Sequence, residues 1–444
     1  MNSHSLLNGK IGGQPELKDH SERLLDFICG QTSAIYREAQ GCLKHPFLVP
    51  GGLFHDELWD WDSFWIAEGM GPLKDRLDPD SRKKFLVHAT GSWINFFEHQ
   101  AEDGTLPIMM KAGMGDFFGC TTREGTEKNQ AKPVFAQFAQ RIAEMAGDFR
   151  WVEPYYGRLK QFHNRWRSKY GTECGLLVWG SDAAIGADND PTTYGRPEFS
   201  SANLLLNCLF SRELHAMAKI AEALGRESDV RKLEEEIAGI RDAVQAECWD
   251  NIDGFFYTVD VQCRDHRHEH FPHINRGMEM TWKTVPLKIK MFTGFLPLWC
   301  SIATPDQART LVERHLRNPG EFDSPHGIRS LSKGERMYDP ATDSANPSNW
   351  LGPIWIVANY MVYQGLLRYG FHEDASALAD KIVALLGGDL ERHGVLHECY
   401  HPDTGKPNFN TGFLSWNVLV GAMIARESAA APSSRKTLTA QEMA

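Results

Sequence analysis

The chain has 444 residues, 42% of them hydrophobic, and a formal net charge of -11 at neutral pH. This length can bury a large core, and we predict one large domain over residues 1–426. The chain carries no block rich in Lys and Arg, whereas binding to a phosphate backbone requires clustered cations. Composition therefore argues against nucleic acid as a partner.

The sequence contains no sign of a membrane span or an export signal. No stretch approaches the roughly 18 consecutive apolar residues that a membrane helix needs. The N-terminus from Met1 to Lys18 is polar and lacks an apolar core segment. Nine cysteines are scattered without CxxC spacing, which is typical of reduced thiols in a large intracellular protein. We expect a soluble cytoplasmic protein without a membrane partner.

Apolar residues recur at helical spacing in nine segments of the chain. In order, these predicted helices cover residues 17–40, 81–99, 133–146, 204–224, 229–248, 306–316, 355–369, 372–386 and 414–425. Long loops rich in Gly, Pro, Asp, Asn and Trp separate them, at 44–63, 102–132, 171–200, 250–284, 318–354 and 388–412. Loops of this length inside a compact chain usually carry function.

The alternation of helix and long loop, repeated about six times, predicts an all-α fold. We expect a closed toroid of helical hairpins whose loops gather at one end. Strand signals are sparse, apart from the turn and strand of a small hairpin at 253–259. Residues 427–444 contain few large apolar side chains and are predicted to form a flexible tail.

The first candidate for catalysis lies in residues 186–191, with the sequence Gly-Ala-Asp-Asn-Asp-Pro. These residue types build ordinary turns, and a turn is the simpler interpretation of the segment taken alone. However, Asp188 lies among aromatic and polar residues, a setting that keeps a carboxyl group protonated and oriented. We predict that Asp188 is a general acid, with Asp182 and Asp190 as alternatives.

The second candidate is Glu398, within the segment His397-Glu398-Cys399-Tyr400. It precedes an evident turn at residues 402–405, so a solvated glutamate at a strand end is the competing interpretation. Two carboxyl groups, one acting as acid and one as base on a single sugar, are the usual equipment of a glycoside hydrolase. The pair Asp188 and Glu398 therefore predicts such a site.

The thirteen tryptophans divide between helical patterns and loops. Those in or beside helical patterns are expected in the core, and they are Trp93, Trp151, Trp166, Trp249, Trp282 and Trp299. Those in or next to the loops are candidates for a wall that stacks on a sugar ring, and they are Trp59, Trp61, Trp65, Trp179, Trp350, Trp355 and Trp416. Asp62, next to Trp61, supplies a carboxylate for sugar hydroxyl groups.

Other chemistries find less support in the sequence. His266, His268, His270 and His273 alternate as metal ligands on a strand would, but no second ligand cluster accompanies them, and a polar loop is the favoured interpretation. Ser/His/Asp catalysis lacks a GxSxG elbow, and no P-loop or GxGxxG follows a predicted strand. We predict no metal site.

Several blocks, in the same order along the chain, resemble glycoside hydrolase family 63 and its trehalase relatives, members of the six-hairpin glycosidase superfamily. Residues 50–52 (Pro-Gly-Gly) and 61–64 (Trp-Asp-Ser-Phe) resemble a trehalase signature. Residues 350–355 (Trp-Leu-Gly-Pro-Ile-Trp) resemble a block shared across the family. The segments around Asp188 and Glu398 resemble the general-acid and general-base segments. The resemblance covers about residues 50–425.

The resemblance implies an (α/α)6 barrel, an inverting reaction on a small α-linked glucoside or mannoside, and no required cofactor. It implies Asp188 as the general acid and Glu398 as the general base. Together with the loop composition, it predicts a set of substrate-binding residues. They are Trp59, Trp61, Asp62, Gln130, Lys132, Trp179, Tyr194, Arg196, His326, Arg329, Trp350, Gly352, Trp355, His397, Tyr400 and Trp416.

In length, the chain is most similar to mannosylglycerate and glucosylglycerate hydrolases, and two departures bear on the substrate. Leu53 stands where trehalases carry an arginine, and the trehalase motif Glu-Ser-Gly-Trp-Asp is absent, which argues against trehalose. Lys132 falls within Gln-Ala-Lys-Pro, where relatives carry Gln-Pro-Pro. With Arg196 and Arg329 it could hold an anionic aglycone such as glycerate, unless these cations pair with local carboxylates such as Asp190 or Glu198.

Two functions from other classes compete with hydrolysis. A sugar isomerase or epimerase on the same barrel would use histidines such as His326 and His397 instead of a carboxylate pair. A carbohydrate-binding module would keep the tryptophans but would not need both Asp188 and Glu398. Release of a reducing sugar from a non-reducing glycoside separates hydrolysis from both.

Overall fold

The computed structural model describes residues 15–122, 128–263, 282–341 and 348–430, and twelve α-helical segments follow one another within these ranges. They are α1 (Pro15–Gly30), α2 (Asp60–Met70), α3 (Pro79–Glu98), α4 (Phe135–Ala146), α5 (Tyr156–Tyr170), α6 (Leu204–Ala223), α7 (Glu227–Cys248), α8 (Leu296–Trp299), α9 (Pro305–Thr310), α10 (Ile356–Arg368), α11 (His372–His393) and α12 (Leu419–Ala430). A π-helical turn at Leu311–Leu316 continues α9.

Every second helix belongs to an inner ring. Helices α2, α4, α6, α8, α10 and α12 contact one another in this order, and α12 returns to contact α2. The remaining helices pack outside the ring, for example α3 against α2 and α4, and α7 against α6. The closed double layer confirms the predicted (α/α)6 barrel. The closed ring supports a single domain over residues 1–426, which stays a prediction.

Local sequence explains where several helices begin. Asp78 caps α3, because its Oδ1 accepts hydrogen bonds from the backbone N–H groups of Asp80 and Ser81, both at 3.0 Å. Pro79 occupies the first position of that helix, where its missing N–H costs nothing. Thr304 and Gln307 form a reciprocal capping box at the start of α9.

Fourteen short strands lie in the loops of the described chain. They are β1 (Tyr36–Arg37), β2 (Phe47–Leu48), β3 (Glu57–Trp59), β4 (Met109–Lys111), β5 (Gly115–Asp116), β6 (Ser201–Ala202), β7 (Trp249–Asp250), β8 (Phe255–Phe256), β9 (Val259–Asp260), β10 (Val285–Pro286), β11 (Asp323–Ser324), β12 (Gly327–Ile328), β13 (His397–Tyr400) and β14 (Pro407–Thr411). They form small antiparallel sheets ordered β1-β2, β3-β4-β5, β10-β9-β6, β7-β8, β11-β12 and β13-β14.

The hairpin predicted at 253–259 corresponds to β7 and β8, which pair around a turn that contains Asp253 and Gly254. The prediction covered the turn and one strand; the partner strand β7 at Trp249–Asp250 was not predicted, and β8 ends at Phe256. Short 3₁₀ turns complete the connections, at Thr32–Ile35, Gly52–Phe54, Gly71–Leu73, Arg150–Tyr155, Asp182–Ala184, Phe292–Phe295 and Ser415–Val418.

Three helices escaped the sequence prediction, namely α2, α5 and the four-residue α8, and the first two did so for opposite reasons. All eleven residues of α2 are buried. A helix that is buried on every side shows no amphipathic period, so spacing gives no signal for it. Helix α5 does bury residues at helical spacing, including Leu159, Phe162 and Trp166, but its many basic and polar side chains obscured the pattern.

Two predicted boundaries and one predicted core residue need correction. The helix expected at 17–40 ends at Gly30, and the chain then turns into β1. The flexible tail was expected to begin at residue 427, but this residue still belongs to α12. Its Oε1 accepts a hydrogen bond from the Tyr363 hydroxyl at 2.7 Å. Residues 431–444 lie outside the described chain. Trp282 was expected in the core but is 56% exposed, because it lies in the loop before β10 and not on a helix.

No helix in the described part of the chain combines the length and apolar character that a membrane crossing requires.

Candidate active site

The loops that lead into the inner helices meet at one end of the barrel. Trp61, in the first turn of α2, has its ring centroid 6.5 Å from that of Trp350 and 5.7 Å from that of Trp416. Those two tryptophans lie before α10 and α12, far away in sequence. The loop before α4 joins them through Lys132, whose Nζ lies 4.9 Å from the Trp61 ring centroid.

Glu398 reaches this end on β13. Its Oε2 accepts a hydrogen bond from Asn410 Nδ2 at 2.9 Å, across the hairpin on β14. The indole N–H of Trp416 donates to the backbone carbonyl of Glu398 at 3.3 Å. Only 3% of the Glu398 side chain is exposed. Burial raises the pKa of Glu398 to about 8; Asn410 opposes this rise, and the negative charges of Asp62 and Asp188 add to it.

Asp188 approaches the same space from the loop before α6. The neighbouring Gly186 has φ +74°, and a Cβ there would lie 2.6 Å from the Trp61 ring, so glycine lets the loop pack against α2. Asn189 ties the loop to the next one, because its Oδ1 accepts from the Trp350 backbone N–H at 2.7 Å. The loop is therefore fixed on two sides of Asp188.

The Asp188 side chain is open to solvent, yet protein groups surround it closely on its inner side. Partial burial raises its pKa, while a hydrogen bond from Ser348 and the positive charge of Lys132 oppose the rise. Asp188 and Glu398 are close enough for the charge of Asp188 to raise the pKa of Glu398.

Asp62 is a third carboxyl group in the pocket. It is buried, and its Oδ1 accepts a hydrogen bond from the Ser415 hydroxyl at 2.7 Å. Burial raises the pKa of Asp62 to about 7; Ser415 and Lys132 lower it, whereas Asp60 raises it. Three carboxyl groups therefore lie near one another, and the charges of Asp62 and Asp188 disfavour ionisation of Glu398.

Lys132 is held by Asp60 in a buried ion pair behind Trp61. Its Nζ lies 3.3 Å from Asp60 Oδ1 and 3.4 Å from Oδ2, and its backbone N–H donates to Asp60 Oδ2 at 2.8 Å. Both side chains are buried. The alternative that the cation pairs locally therefore fits the geometry, although its partner is Asp60 and not Asp190 or Glu198.

The other two cations of the expected anionic subsite are also paired. Arg196 forms an ion pair with Asp260 on β9. Arg329 is buried, donates to Asp403 Oδ1 at 2.7 Å, and donates to the backbone carbonyls of Pro319 and Asp323. Arg329 thus fastens loops together. The structure brings neither guanidinium group to the three carboxyl groups.

Four of the aromatic residues predicted to bind substrate support the pocket from behind instead. Trp179, Trp350, Trp355 and Tyr400 each expose at most 1% of their surface. Trp350 and Trp355 stack face to face, with ring centroids 4.1 Å apart, and this pair backs Trp61 and Trp416. The prediction that they contact sugar is corrected, because a fully covered ring offers no face for stacking.

Gln130 is also fully buried, but unlike the aromatic rings above it carries a polar amide group. Neither its Oε1 nor its Nε2 has a hydrogen-bond partner within the described chain. A buried amide without partners is costly and normally binds water or a ligand. Contact between Gln130 and a substrate hydroxyl group therefore stays a prediction.

The remaining predicted residues lie at the edges of the site. Trp59 is half-buried, packs against Phe54 and Phe118, and donates its indole N–H to Glu57 at 2.8 Å. Tyr194 is 57% exposed. Gly352 is buried against the ring of Tyr338. His326 packs against Gly405, and burial lowers its pKa, with Arg392 adding to the effect.

His397 belongs to a clamp that holds β13, the strand of Glu398. The buried carboxylate of Asp389, on α11, accepts from His397 Nδ1 at 2.9 Å, from the Tyr400 hydroxyl at 2.8 Å and from His393 Nδ1 at 2.8 Å. Burial alone would raise the pKa of Asp389, but these hydrogen bonds outweigh it and lower the pKa. Both ends of β13 are therefore fastened to α11.

Asp389, His393 and His397 also lie close enough together to hold a metal ion. The hydrogen bonds above use the same ligand atoms, so we assign the cluster to positioning β13. The four histidines between residues 266 and 273, with Glu269, fall outside the described chain.

Sequence reasoning missed three polar residues that hold the carboxyl groups, namely Asp60, Asp389 and Asn410. Asp60 acts on Lys132, 72 residues away, whereas Asp389 and Asn410 act on partners 8 and 12 residues away. Only Asp60 gave a local signal, since it directly precedes Trp61 and Asp62. The expected competitors of Asp188 have structural roles. Asp190 is 1% exposed and binds Thr192 and Asn203, and Asp182 accepts from the Gly195 backbone N–H at 3.1 Å.

Residues 56–416 match the family model described as the mannosylglycerate hydrolase MGH1-like glycoside hydrolase domain. The match covers most of the chain, and the chain belongs to this family. The family assignment agrees with the six-hairpin barrel and with the resemblance to glycoside hydrolase family 63 noted from the sequence.

Individual relatives carry related names. The chain is 29% identical over 209 residues to the mannosylglycerate hydrolase of Thermus thermophilus, covering 47% of this chain and 40% of that protein. It is 26% identical over 385 residues to the trehalase of Oryctolagus cuniculus, covering 72% of this chain and 60% of that protein. The chain thus spans well under two thirds of the Thermus protein's length.

A solved structure reproduces the fold. The crystal structure of a GH63 mannosylglycerate hydrolase from Thermus thermophilus in complex with glucose aligns with a TM-score of 0.65, over 92% of this chain and 99% of that one. Sequence identity in this alignment is 21%, so the likeness establishes the barrel and leaves the substrate to chemical argument.

Proposed function

We propose that the protein is an inverting glycoside hydrolase that acts on a small α-linked glucoside or mannoside. The observation that carries the proposal is the convergence of three carboxyl groups at the mouth of an (α/α)6 barrel, Asp62 from the start of α2, Asp188 from the loop before α6 and Glu398 from β13. A pair of carboxyl groups, one of which is an acid with a raised pKa, is the usual acid and base of glycoside hydrolysis.

In the proposed reaction, Asp188 donates its proton to the glycosidic oxygen as the bond from that oxygen to the anomeric carbon breaks. A water molecule attacks the anomeric carbon from the opposite face, and Glu398 takes the proton that this water loses. The products are a free sugar of inverted anomeric configuration and the alcohol of the aglycone. Asn410 orients Glu398 for this role, because it holds one carboxylate oxygen at 2.9 Å.

Asp188 is preferred to Asp190 as the acid because the two side chains differ in hydrogen bonding and in exposure to solvent. Both oxygens of Asp190 already accept hydrogen bonds from Thr192 and Asn203, which argues for a structural role. Asp188 keeps a side chain open to solvent in the pocket, where a substrate oxygen can reach it. Its raised pKa favours the protonated form that a general acid requires.

Asp62 and Trp61 are proposed to hold the glycone. They lie side by side at the start of α2, and small parts of both side chains remain exposed. Asp62 offers a carboxylate to sugar hydroxyl groups, and Ser415 orients it at 2.7 Å. Gln130 supplies a further amide with free hydrogen-bonding capacity within the described chain.

The names of the relatives suggest glycosylglycerate and trehalose as substrates to compare. The trehalase alternative is weaker, because Leu53 replaces the arginine expected after Pro-Gly-Gly. The isomerase or epimerase alternative needs a catalytic histidine, whereas His397 donates its Nδ1–H to Asp389 in the clamp behind Glu398. We infer a small carbohydrate as the partner, with no cofactor.

We also infer a reducing compartment, the cytoplasm. All nine cysteines are free in the structure, and five of them are buried, which supports the prediction of reduced thiols.

The test is a ¹H NMR time course with mannosylglycerate, glucosylglycerate and trehalose, followed by incubation with free glucose and free mannose. The expected result is release of the β-anomer first from one α-linked substrate, with no conversion of the free sugars. Initial release of the α-anomer would contradict inversion. Conversion of a free sugar without hydrolysis of any glycoside would favour the isomerase.

A further inference from the structure

A second cavity lies inside the ring of inner helices, away from the three carboxyl groups. It encloses about 50 Å³, enough for a few water molecules or one small anion. Glu68 lines it from α2, six residues beyond Asp62 and therefore roughly 9 Å further along the helix. Arg368, the last residue of α10, lines it as well. The cavity thus lies deeper in the barrel than the proposed sugar pocket.

The lining of this cavity carries an excess of positive charge. Three arginines contribute, Arg141, Arg212 and Arg368, against the single carboxylate of Glu68. Glu68 is already engaged: it forms a two-point ion pair with Arg141, and its Oε1 accepts from the Tyr360 hydroxyl at 2.8 Å. Arg141 has a second acidic partner in Glu144 at 2.6 Å. Glu68 and Arg141 therefore compensate each other.

The other two arginines have no such partner. Within the described ranges, no carboxylate lies within 4 Å of the guanidinium group of Arg212 or Arg368. The Nε atoms of both are shielded from solvent and make no hydrogen bond to a described residue. Arg212 packs over the Trp299 ring, with its Cζ 5.5 Å from the centroid, which offsets part of its charge.

Two like charges held together in this way are costly. Burial lowers the pKa of Arg212 to about 10, and the nearby Arg368 adds to the effect. Arg212 still carries its charge at neutral pH. Both side chains are half-buried, so water screens only part of this repulsion, and a charge that has lost part of its hydration is stabilised by an ion-pair partner. Within the described ranges neither guanidinium group has an ion-pair partner, so a small anion in the cavity would offset the repulsion between the two charges.

We propose that this cavity binds one small inorganic anion, chloride or phosphate, between the guanidinium groups of Arg212 and Arg368. Guanidinium groups present rigid sets of N–H donors that suit anions, and the side chain of Gln364 in the lining offers a further amide donor. The inference is independent of the proposed glycosidase activity, because its test measures stability and binding alone.

The first test is thermal unfolding of the full chain at constant ionic strength, with sodium gluconate replaced stepwise by sodium chloride or, separately, by sodium phosphate. Gluconate is too large for the cavity. We expect the melting temperature to rise with one of the small anions and to saturate, as binding to the folded state requires. The salt whose effect on the melting temperature saturates at the lower concentration identifies the anion that the cavity binds. An equal melting temperature in all three salts would overturn the proposal.

The variants Arg212→Gln and Arg368→Gln keep an amide donor but remove the charge. Each should raise the half-saturating anion concentration at least fivefold. Arg309→Gln is the matched control, since Arg309 is exposed and pairs only with Asp306 one helical turn away. Full retention of the anion effect in both cavity variants would overturn the proposal.

A direct measurement covers the case in which a variant fails to fold. Wild-type crystals grown from gluconate are soaked in sodium bromide and examined by anomalous diffraction. One bromide peak between Arg212 and Arg368 is expected. Bromide sites confined to the protein surface would overturn the assignment to this cavity.

Discussion

Asn410 holds Glu398 by a hydrogen bond of 2.9 Å from its Nδ2 to the Oε2 of the carboxylate. Asn410 is itself held, because its Oδ1 accepts from the Leu53 backbone N–H at 2.9 Å, and its own φ of +48° is one that few residue types other than glycine tolerate. The Pro-Gly-Gly-Leu segment at residues 50–53 thus acts on the proposed base through Asn410. A Cβ on Gly52 would lie 2.2 Å from Asn410 Oδ1.

The first prediction concerns this link. Asn410→Ala removes a hydrogen bond that lowers the pKa of Glu398, so the rise of kcat/KM with pH should move to higher pH. A hydrogen bond to a charged group contributes about 1.5–3 kcal/mol, which corresponds to a loss of roughly tenfold or more at neutral pH. Gly52→Ala should act similarly by displacing Asn410. Gly113→Ala is the control, since a Cβ there meets no atom within 4 Å. An unchanged pH profile in Asn410→Ala would contradict the link.

The second prediction concerns the base. Glu398→Gln keeps the size of the side chain but removes its ability to accept a proton, so turnover should fall by about 10²–10⁴-fold while substrate binding persists. The measurements are kcat on the hydrolysed substrate and Kd by calorimetry. Glu102→Gln, an exposed position, should leave both unchanged. Retention of more than a tenth of wild-type turnover would exclude Glu398 as the base.

The third prediction concerns stability and needs no substrate. The pKa of Glu398 is about 8 in the folded protein, against an ordinary value of 4.5, so folding favours its protonated form. The stability that the protonated Glu398 side chain contributes is fully present below about pH 4.5, and it is lost as the pH rises through 8. Glu398→Gln should therefore melt on the order of 2–4 °C above wild type at pH 8, with a smaller difference at pH 5. Equal differences at both pH values would show that ionisation of Glu398 is not the cause.

The fourth prediction concerns the acid. Asp188→Asn should lose activity on glycosides with poor leaving groups by about 10²–10⁴-fold, because their departure needs a proton. A glycosyl fluoride leaves with little protonation, so the loss on that substrate should be much smaller. Kinetics on both substrate types provide the test. Equal losses would count against Asp188 and would reopen the case for Asp182 or Asp190.

The fifth prediction concerns Lys132. Lys132→Gln leaves Asp60 buried without its cation, and removal of one partner from a buried pair costs about 3–5 kcal/mol, so the melting temperature should fall clearly. Lys128→Gln is the control, because Lys128 pairs with Glu198 in an exposed ion pair worth at most about 1 kcal/mol.

The same variant tests the anionic subsite. Since Lys132 is committed to Asp60, the ratio of specificity constants for glucosylglycerate and glucosylglycerol should not change in Lys132→Gln. A loss of preference for the acid would instead identify Lys132 as the selector of the aglycone.

The sequence, with its resemblance to glycoside hydrolase family 63, predicted the class of fold, which the structure confirms, and it supplied the candidate acid and base. Amphipathic helices such as α6 and α7 could be predicted, because one face of each is exposed to solvent and apolar residues therefore recur at helical spacing. The carboxyl residues Asp188 and Glu398 were candidates because each lies among turn-forming and aromatic residues in a long loop, and the family resemblance gave them their proposed roles. Helix α2 was not evident, because a helix surrounded by others has no polar face.

Only the tertiary structure decided which side chains act together. Lys132 resembled a free cation in the sequence, but the barrel buries it against Asp60, 72 residues away. Trp350 and Trp355 resembled a sugar-stacking wall, but they stack on each other and leave no face exposed. Spacing along a chain records local geometry, whereas ion pairs, stacking and burial depend on contacts between distant segments, and those contacts exist only once the ring of inner helices has closed.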